Sequence, residues 1–252
     1  DIPFKIVRHI YLPAVQNIHS VFLFTCKNAD LGFVEPIPTA EPEEKKKEEE
    51  ESSFVSTPIK LQARNHIFMQ FKQLDGEFNK EIYVPFAQQV DGASYDADAE
   101  EMYSAGYPLP SGKYLLAMAV TSQDLTKIGT QYFEFTLPDA LSFTDRLETT
   151  PIFFARNIIR IPAAETTINI HKNSFIYSVL DIEPNMDNVF STGDVLDIFY
   201  YIFGARTTAD GAYDIDITYN ILKGEEVFIR FAPQKVVRGP IISLPLPIKR
   251  TV

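Results

Sequence analysis

Val195-Leu-Asp-Ile-Phe-Tyr-Tyr-Ile-Phe-Gly-Ala205, then Ala212-Tyr-Asp-Ile-Asp-Ile-Thr-Tyr-Asn-Ile-Leu222, then Val227-Phe-Ile-Arg-Phe231 are the runs that decide the fold class. In the middle run Tyr213, Ile215, Ile217 and Tyr219 alternate with Asp214, Asp216 and Thr218. Period two is the signature of a half-buried strand, so the first set is expected to face inward and the second to face water. The two flanking runs are richer in apolar residues and read as more central strands. Asp210-Gly211 and Lys223-Gly224 supply turn chemistry at the joints, and the whole reads as an antiparallel meander.

The same grammar extends in both directions. Strand-like runs lie at 152–161, 167–172, 174–182 and 241–249, the last with Pro245 and Pro247 at alternate positions, as an edge strand tolerates. The first half offers 4–12, 19–27, 54–62, 66–72, 81–87, 113–120 and 129–137. Run 19–27 is apolar on both faces, which suits a central strand. Residues 91–107 form a non-strand stretch, with a short helix expected around 97–104.

These runs predict an all-β chain with very little helix: two tandem antiparallel β-sandwiches, immunoglobulin- or fibronectin III-like, over 1–140 and 150–252. The linker falls at 138–151. Each half carries Gly-x-Tyr before a late strand, ending in Tyr114 and Tyr213. A tyrosine there can bond back to the backbone and close a corner, so both are structural candidates. Residues 35–53 are a proline-led, acidic low-complexity insert, expected to be a solvated loop whose stretch 38–52 is dispensable for folding.

Composition narrows the partners. The 252-residue chain has a formal net charge of −11, which disfavours nucleic acid and anionic membrane surfaces. No apolar run reaches the ~18 residues of a membrane helix, so no transmembrane segment is expected. Twenty Phe and twelve Tyr can build a large core. Trp is absent, which lowers a carbohydrate-binding reading, although tyrosine can take its place. The single cysteine, Cys26, sits in Val-Phe-Leu-Phe-Thr-Cys and reads as a buried small hydrophobe. The chain opens on Asp1, the mark expected of a processed or truncated product.

No stretch rises to a catalytic motif, and no cofactor is expected. His9, His19, His66 and His171 stand in no metal-ligand spacing and read as structural. Asp96, Asp98 and Glu100 place carboxylates at alternate positions, the only candidate set for a hard cation such as calcium. The same acids also suit the first turn of a helix.

At Asn28-Ala-Asp-Leu-Gly-Phe, Gly112-Lys-Tyr-Leu-Leu, Phe199-Tyr-Tyr-Ile-Phe-Gly-Ala and Leu244-Pro-Leu-Pro-Ile-Lys-Arg-Thr-Val, the chain resembles the C-terminal regions of large, uncharacterised exported proteins of acidobacteria. Some of those carry von Willebrand A-related or GWxTD domains; without Trp, this chain lacks a GWxTD motif. The resemblance implies an exported, periplasmic or extracellular, non-enzymatic β-sandwich region.

The leading expectation is a non-catalytic sandwich that binds another protein or its own kind, as a structural or accessory subunit. The alternative is a carbohydrate-binding module using exposed tyrosines such as Tyr95, Tyr103 and Tyr107. An enzyme with a dispersed site ranks third. Coplanar exposed tyrosines would favour sugar, two close carboxylates in a deep pocket an enzyme, and a broad apolar patch a protein.

Overall fold

A computed structural model describes residues 1–14, 16–36, 59–139, 147–191, 193, 195–203, 205–206, 208–210, 212–236, 244–245 and 248–251. The first half contributes β1 (Phe4–Pro13), β2 (Ile18–Lys27), the four-residue α1 (Asn28–Leu31), β3 (Lys60–Gln73), β4 (Asn79–Asp91), β5 (Glu100–Leu109), β6 (Gly112–Ser122) and β7 (Ile128–Leu137). The second half adds β8 (Glu148–Thr149), β9 (Phe153–Arg160), β10 (Ile170–Lys172), β11 (Phe175–Tyr177), β12 (Leu180–Pro184), β13 (Val195–Phe199) and β14 (Tyr201–Phe203). After these come β15 (Ile215–Ile217), β16 (Asn220–Lys223), β17 (Glu226–Arg230), β18 (Gln234–Val236), β19 (Leu244–Pro245) and β20 (Ile248–Thr251). The protein is all-β and antiparallel, built of sheets stacked face to face.

The front sheet runs β4-β3-β6-β7 and the middle sheet β1-β2-β5-β10. Their facing sides hold the first core, with Phe22, Phe24, Ile67, Phe71, Phe86, Tyr103, Leu116 and Val120 at 0–1 % exposure. Each strand reaches it by alternation: Ala63, Asn65, Ile67, Met69 and Phe71 of β3 are buried, and the residues between them are not. At the corner where β1 meets β7, the Ile2 carbonyl crosses so close over Gly129 that a Cβ there would lie 1.8 Å from the oxygen. Only glycine fits under that crossing.

The middle sheet is buried on both sides. Ile10, Leu12, Val21 and Leu23 point away from the first core and pack on Phe153, Ala155, Phe175, Ile182, Phe199 and Tyr201. That second core joins the middle sheet to a rear sheet, β11-β12-β9-β13-β20, whose line continues in β19-β14-β8. The Tyr177 hydroxyl bonds across it to the Pro13 carbonyl. A bulge serves both cores. Ile6 pairs with Phe24 and Arg8 with Leu23, leaving Val7 extra, so the parity of β1 changes there. Phe4 and Ile6 therefore feed the first core while Ile10 and Leu12 feed the second. On the far side of the rear sheet Tyr200, Ile202, Tyr213 and Ile215 form a small third cluster.

Several expectations are corrected here. The 195–231 stretch is not one meander. β15 pairs with β18, β13 lies between β9 and β20, and only β16 and β17 pair as consecutive strands, across Gly224 at φ +66°. β17 is no central strand, because Val227 and Phe228 are exposed. The alternation itself holds: Tyr213 and Ile215 are buried, Ile217 and Tyr219 half-buried, and Asp214, Asp216 and Thr218 exposed. No helix forms at 97–104; residues 97–98 lie in a turn and 100–104 enter β5, whose ten residues pair with all ten of β2. A ladder that long outweighs the local preference of an acidic stretch. Pro245 lies in β19, at the edge of its sheet. Insert residues 37–53 and linker residues 140–146 lie outside the described residues. Strand β10 follows the linker in sequence and completes the sheet that precedes it.

Candidate functional site

The outer face of the front sheet carries the most distinctive surface. Alternation that buries Ile82, Val84 and Phe86 leaves Tyr83 outside; that which buries Met69 and Phe71 leaves Phe68 and Gln70 outside. Register then aligns rows across the strands. One row reads Tyr83, Phe68, Ala119, Thr130 and the next Glu81, Gln70, Ala117, Tyr132. Ala117 and Ala119 are a low floor between taller side chains on β3 and β7, which stand about 10 Å apart, two interstrand steps of ~4.8 Å. The result is a trough of about 520 Å³. Its rings are open to solvent: Phe68 is 41 %, Tyr83 54 % and Tyr132 71 % exposed.

The β3–β4 wall is held in place. Phe68 and Tyr83 have ring centroids 5.3 Å apart at 37°. His66 Nε2 lies 3.2 Å from the Gln123 carbonyl, and His66 Nδ1 lies 2.9 Å from the Tyr83 hydroxyl. Gln70 Nε2 donates to Asn79 Oδ1 at 3.4 Å and Glu81 Oε1 at 3.3 Å. An aromatic side chain pinned on a rigid sheet loses little conformational freedom on binding.

A second cavity of about 490 Å³ lies where β2 and β5 face β11 and the 164–169 loop. His171 Nε2 lies 3.0 Å from Glu165 Oε2, and Asn169 donates to the other Glu165 oxygen at 3.2 Å. Glu165 is its single lining carboxylate. His19 Nε2 is sealed against Gly106, where a Cβ would lie 2.8 Å away. Burial lowers the His19 pKa, opposed by the Ile176 carbonyl. His9 stacks on Phe22 at 4.8 Å and 13°, with Nε2 unpartnered, and burial takes its pKa down to about 4.

The sequence candidates fall elsewhere. Asp96 accepts from the Asp98 N–H at 3.0 Å, and Glu100 accepts from the Thr25 hydroxyl at 2.6 Å. Among the described residues no group of three or more His, Cys, Asp or Glu side chains gathers to hold a metal ion. Tyr103 is fully buried, Tyr107 is half-buried and stacks on Phe71 at 5.8 Å, and Tyr95 leans on Phe33 at 5.4 Å. None of the three is an exposed side chain. The tyrosines that are exposed, Tyr83 and Tyr132, were readable from parity: each sits between positions that the core claims. Tyr114 donates to the Pro110 carbonyl at 3.0 Å, and burial, with Asp75, pushes its pKa up to about 12. Tyr213 is buried in the third cluster. The Cys26 thiol is pushed up to about 12 by burial, then by Asp30 and Glu100.

No helix among the described residues is long and apolar enough to cross a membrane. Compared with known proteins, the chain matches no family model, no curated protein and no solved structure.

Proposed function

We propose that this chain is a non-catalytic binding protein, working outside the cytoplasm, that holds a linear neutral glycan in the trough of the front sheet. One observation carries the reading: exposed rings of Phe68, Tyr83 and Tyr132 flank an alanine floor on a rigid sheet. The polar groups that line it are Gln70, Thr130 and the Tyr83 and Tyr132 hydroxyls, with Glu81 the one charged side chain among them, in a chain of net charge −11. Ring faces suit the C–H faces of a sugar, and neutral polar groups suit its hydroxyls. Titration with linear gluco-, xylo- and manno-oligosaccharides by calorimetry tests it. Binding of one class, weakened about tenfold by Tyr132→Ala at unchanged melting temperature, is the expected outcome. Absence of binding across the panel overturns it.

A partner protein is the second reading, favoured by a separate observation. The β16–β17 hairpin exposes Leu222, Val227 and Phe228, the last at 69 %. A two-stranded hairpin has little stability of its own, and apolar side chains in water there suit a covering surface. Loss of a co-purifying protein on Phe228→Ser, with glycan binding intact, would assign that surface.

A further inference from the structure

The trough's β3–β4 wall has a hydrogen-bond polarity, and this follows from its partners. A carbonyl only accepts, so when the ring is neutral it is His66 Nε2, facing the Gln123 carbonyl at 3.2 Å, that carries the hydrogen. Nδ1 is then a lone pair, and the Tyr83 hydroxyl 2.9 Å away must donate its only hydrogen to it. What Tyr83 presents to the trough is oxygen lone pairs. Gln70 behaves in the same way. Its amide nitrogen is turned to two acceptors, Asn79 Oδ1 and the Glu81 carboxylate, which leaves the Gln70 carbonyl oxygen as the outward atom. The Glu81 carboxylate accepts only. Three neighbouring side chains on one wall thus offer acceptors, with their own donors committed within the protein.

We infer that the trough selects ligands by donors: it takes a glycan whose free hydroxyls point at β3 and β4, and rejects one whose oxygens there are ethers. This rests on the glycan reading above and adds what the glycan must present. An ether oxygen set against Tyr83, Gln70 and Glu81 loses its water and gains no hydrogen bond, whereas a hydroxyl donates to each. His66 is a positioning residue in this scheme. It touches no ligand and acts by holding the Tyr83 hydrogen. The rings line an open trough and do not close around a point, so the wall is not an ammonium cage.

The test uses the full chain, the best-binding oligosaccharide of the panel and its O-methylated counterpart. Wild-type protein should prefer the free oligosaccharide about tenfold or more. Tyr132→Ala should weaken both ligands alike, because it removes stacking only. His66→Phe frees the Tyr83 hydrogen, and Glu81→Gln adds an N–H and releases the Gln70 amide. Each should pull the preference toward one, a change in ratio that simple damage to the fold does not produce. Equal affinity of wild type for both forms overturns the inference and leaves the glycan reading standing. An unchanged ratio in both wall variants also overturns it. Binding of tetramethylammonium in place of any sugar overturns inference and reading together, as does no binding at all.

Discussion

His9 shows how one side chain can set the acid limit of the fold. Its ring lies between Phe22 and Phe135, and burial there disfavours the charged form. The native pKa, about 4, is below the ~6.5 of an unfolded chain, so the unfolded state takes the proton first. The stability is complete above pH ~6.5 and is lost as pH falls from there toward 4, by about 3 kcal/mol. His19 pulls the same way. Urea midpoints between pH 7.5 and 4.5 should show the fall, and His9→Phe, which keeps the stack, should flatten it. An equally steep fall in that variant would place the effect elsewhere. Tyr114→Phe should cost about 1–3 kcal/mol, since it strips the Pro110 carbonyl of a buried partner. A loss within 0.3 kcal/mol would show that water replaces the hydroxyl. The position of Tyr114 was legible, because Gly112 and the strand after it marked a corner. The unpaired nitrogen of His9 was not, since sequence shows the residue and not what surrounds it.

At the scale of elements, alternation proved the most reliable signal, and strand partners the least. Tyr213 to Tyr219 take the faces their spacing implies, yet β15 pairs with β18 and leaves β13 to β9. Parity is local, whereas pairing is settled by whatever else competes for an edge. Ile215→Ala should therefore cost roughly 2–5 kcal/mol, and Ile217→Ala clearly less, because only Ile215 is buried. The reverse order in denaturant unfolding would put the strand in the other register. The 97–104 expectation failed for a related reason. Asp96-Ala-Asp-Ala-Glu100 has the acids of a helix start, but β2 offers ten ladder positions to β5. The same parity argument locates Tyr83 and Tyr132. The trough between them needs β7, β6, β3 and β4 in register, and no single stretch encodes that.

Over the whole molecule, two cores share the middle sheet, and this ties the halves of the chain together. β10 extends that sheet, and among the described residues Ile10, Leu12, Val21 and Leu23 pack against the rear sheet. Residues 1–139 expressed alone should expose those four side chains. The fragment should bind a hydrophobic dye and self-associate, while the full chain unfolds in one transition. A monomeric, dye-silent fragment would show that the first sandwich is self-sufficient. Run 19–27 announced burial on both faces, but which surface would cover the second face could not be read from it. Val7 gives this arrangement a consequence for descent. Because the bulge splits β1 into two parities, the strand has in effect two reading frames, one for each core. Substitutions can drift within either frame. Straightening the strand with Val7 retained would put Phe4, Ile6, Ile10 and Leu12 on one face, whereas deleting Val7 leaves both sets on their own layers, because Ile6 and Arg8 already oppose consecutive residues of β2. Among related chains, loss of Val7 should therefore come without any exchange of the apolar positions on either side of it.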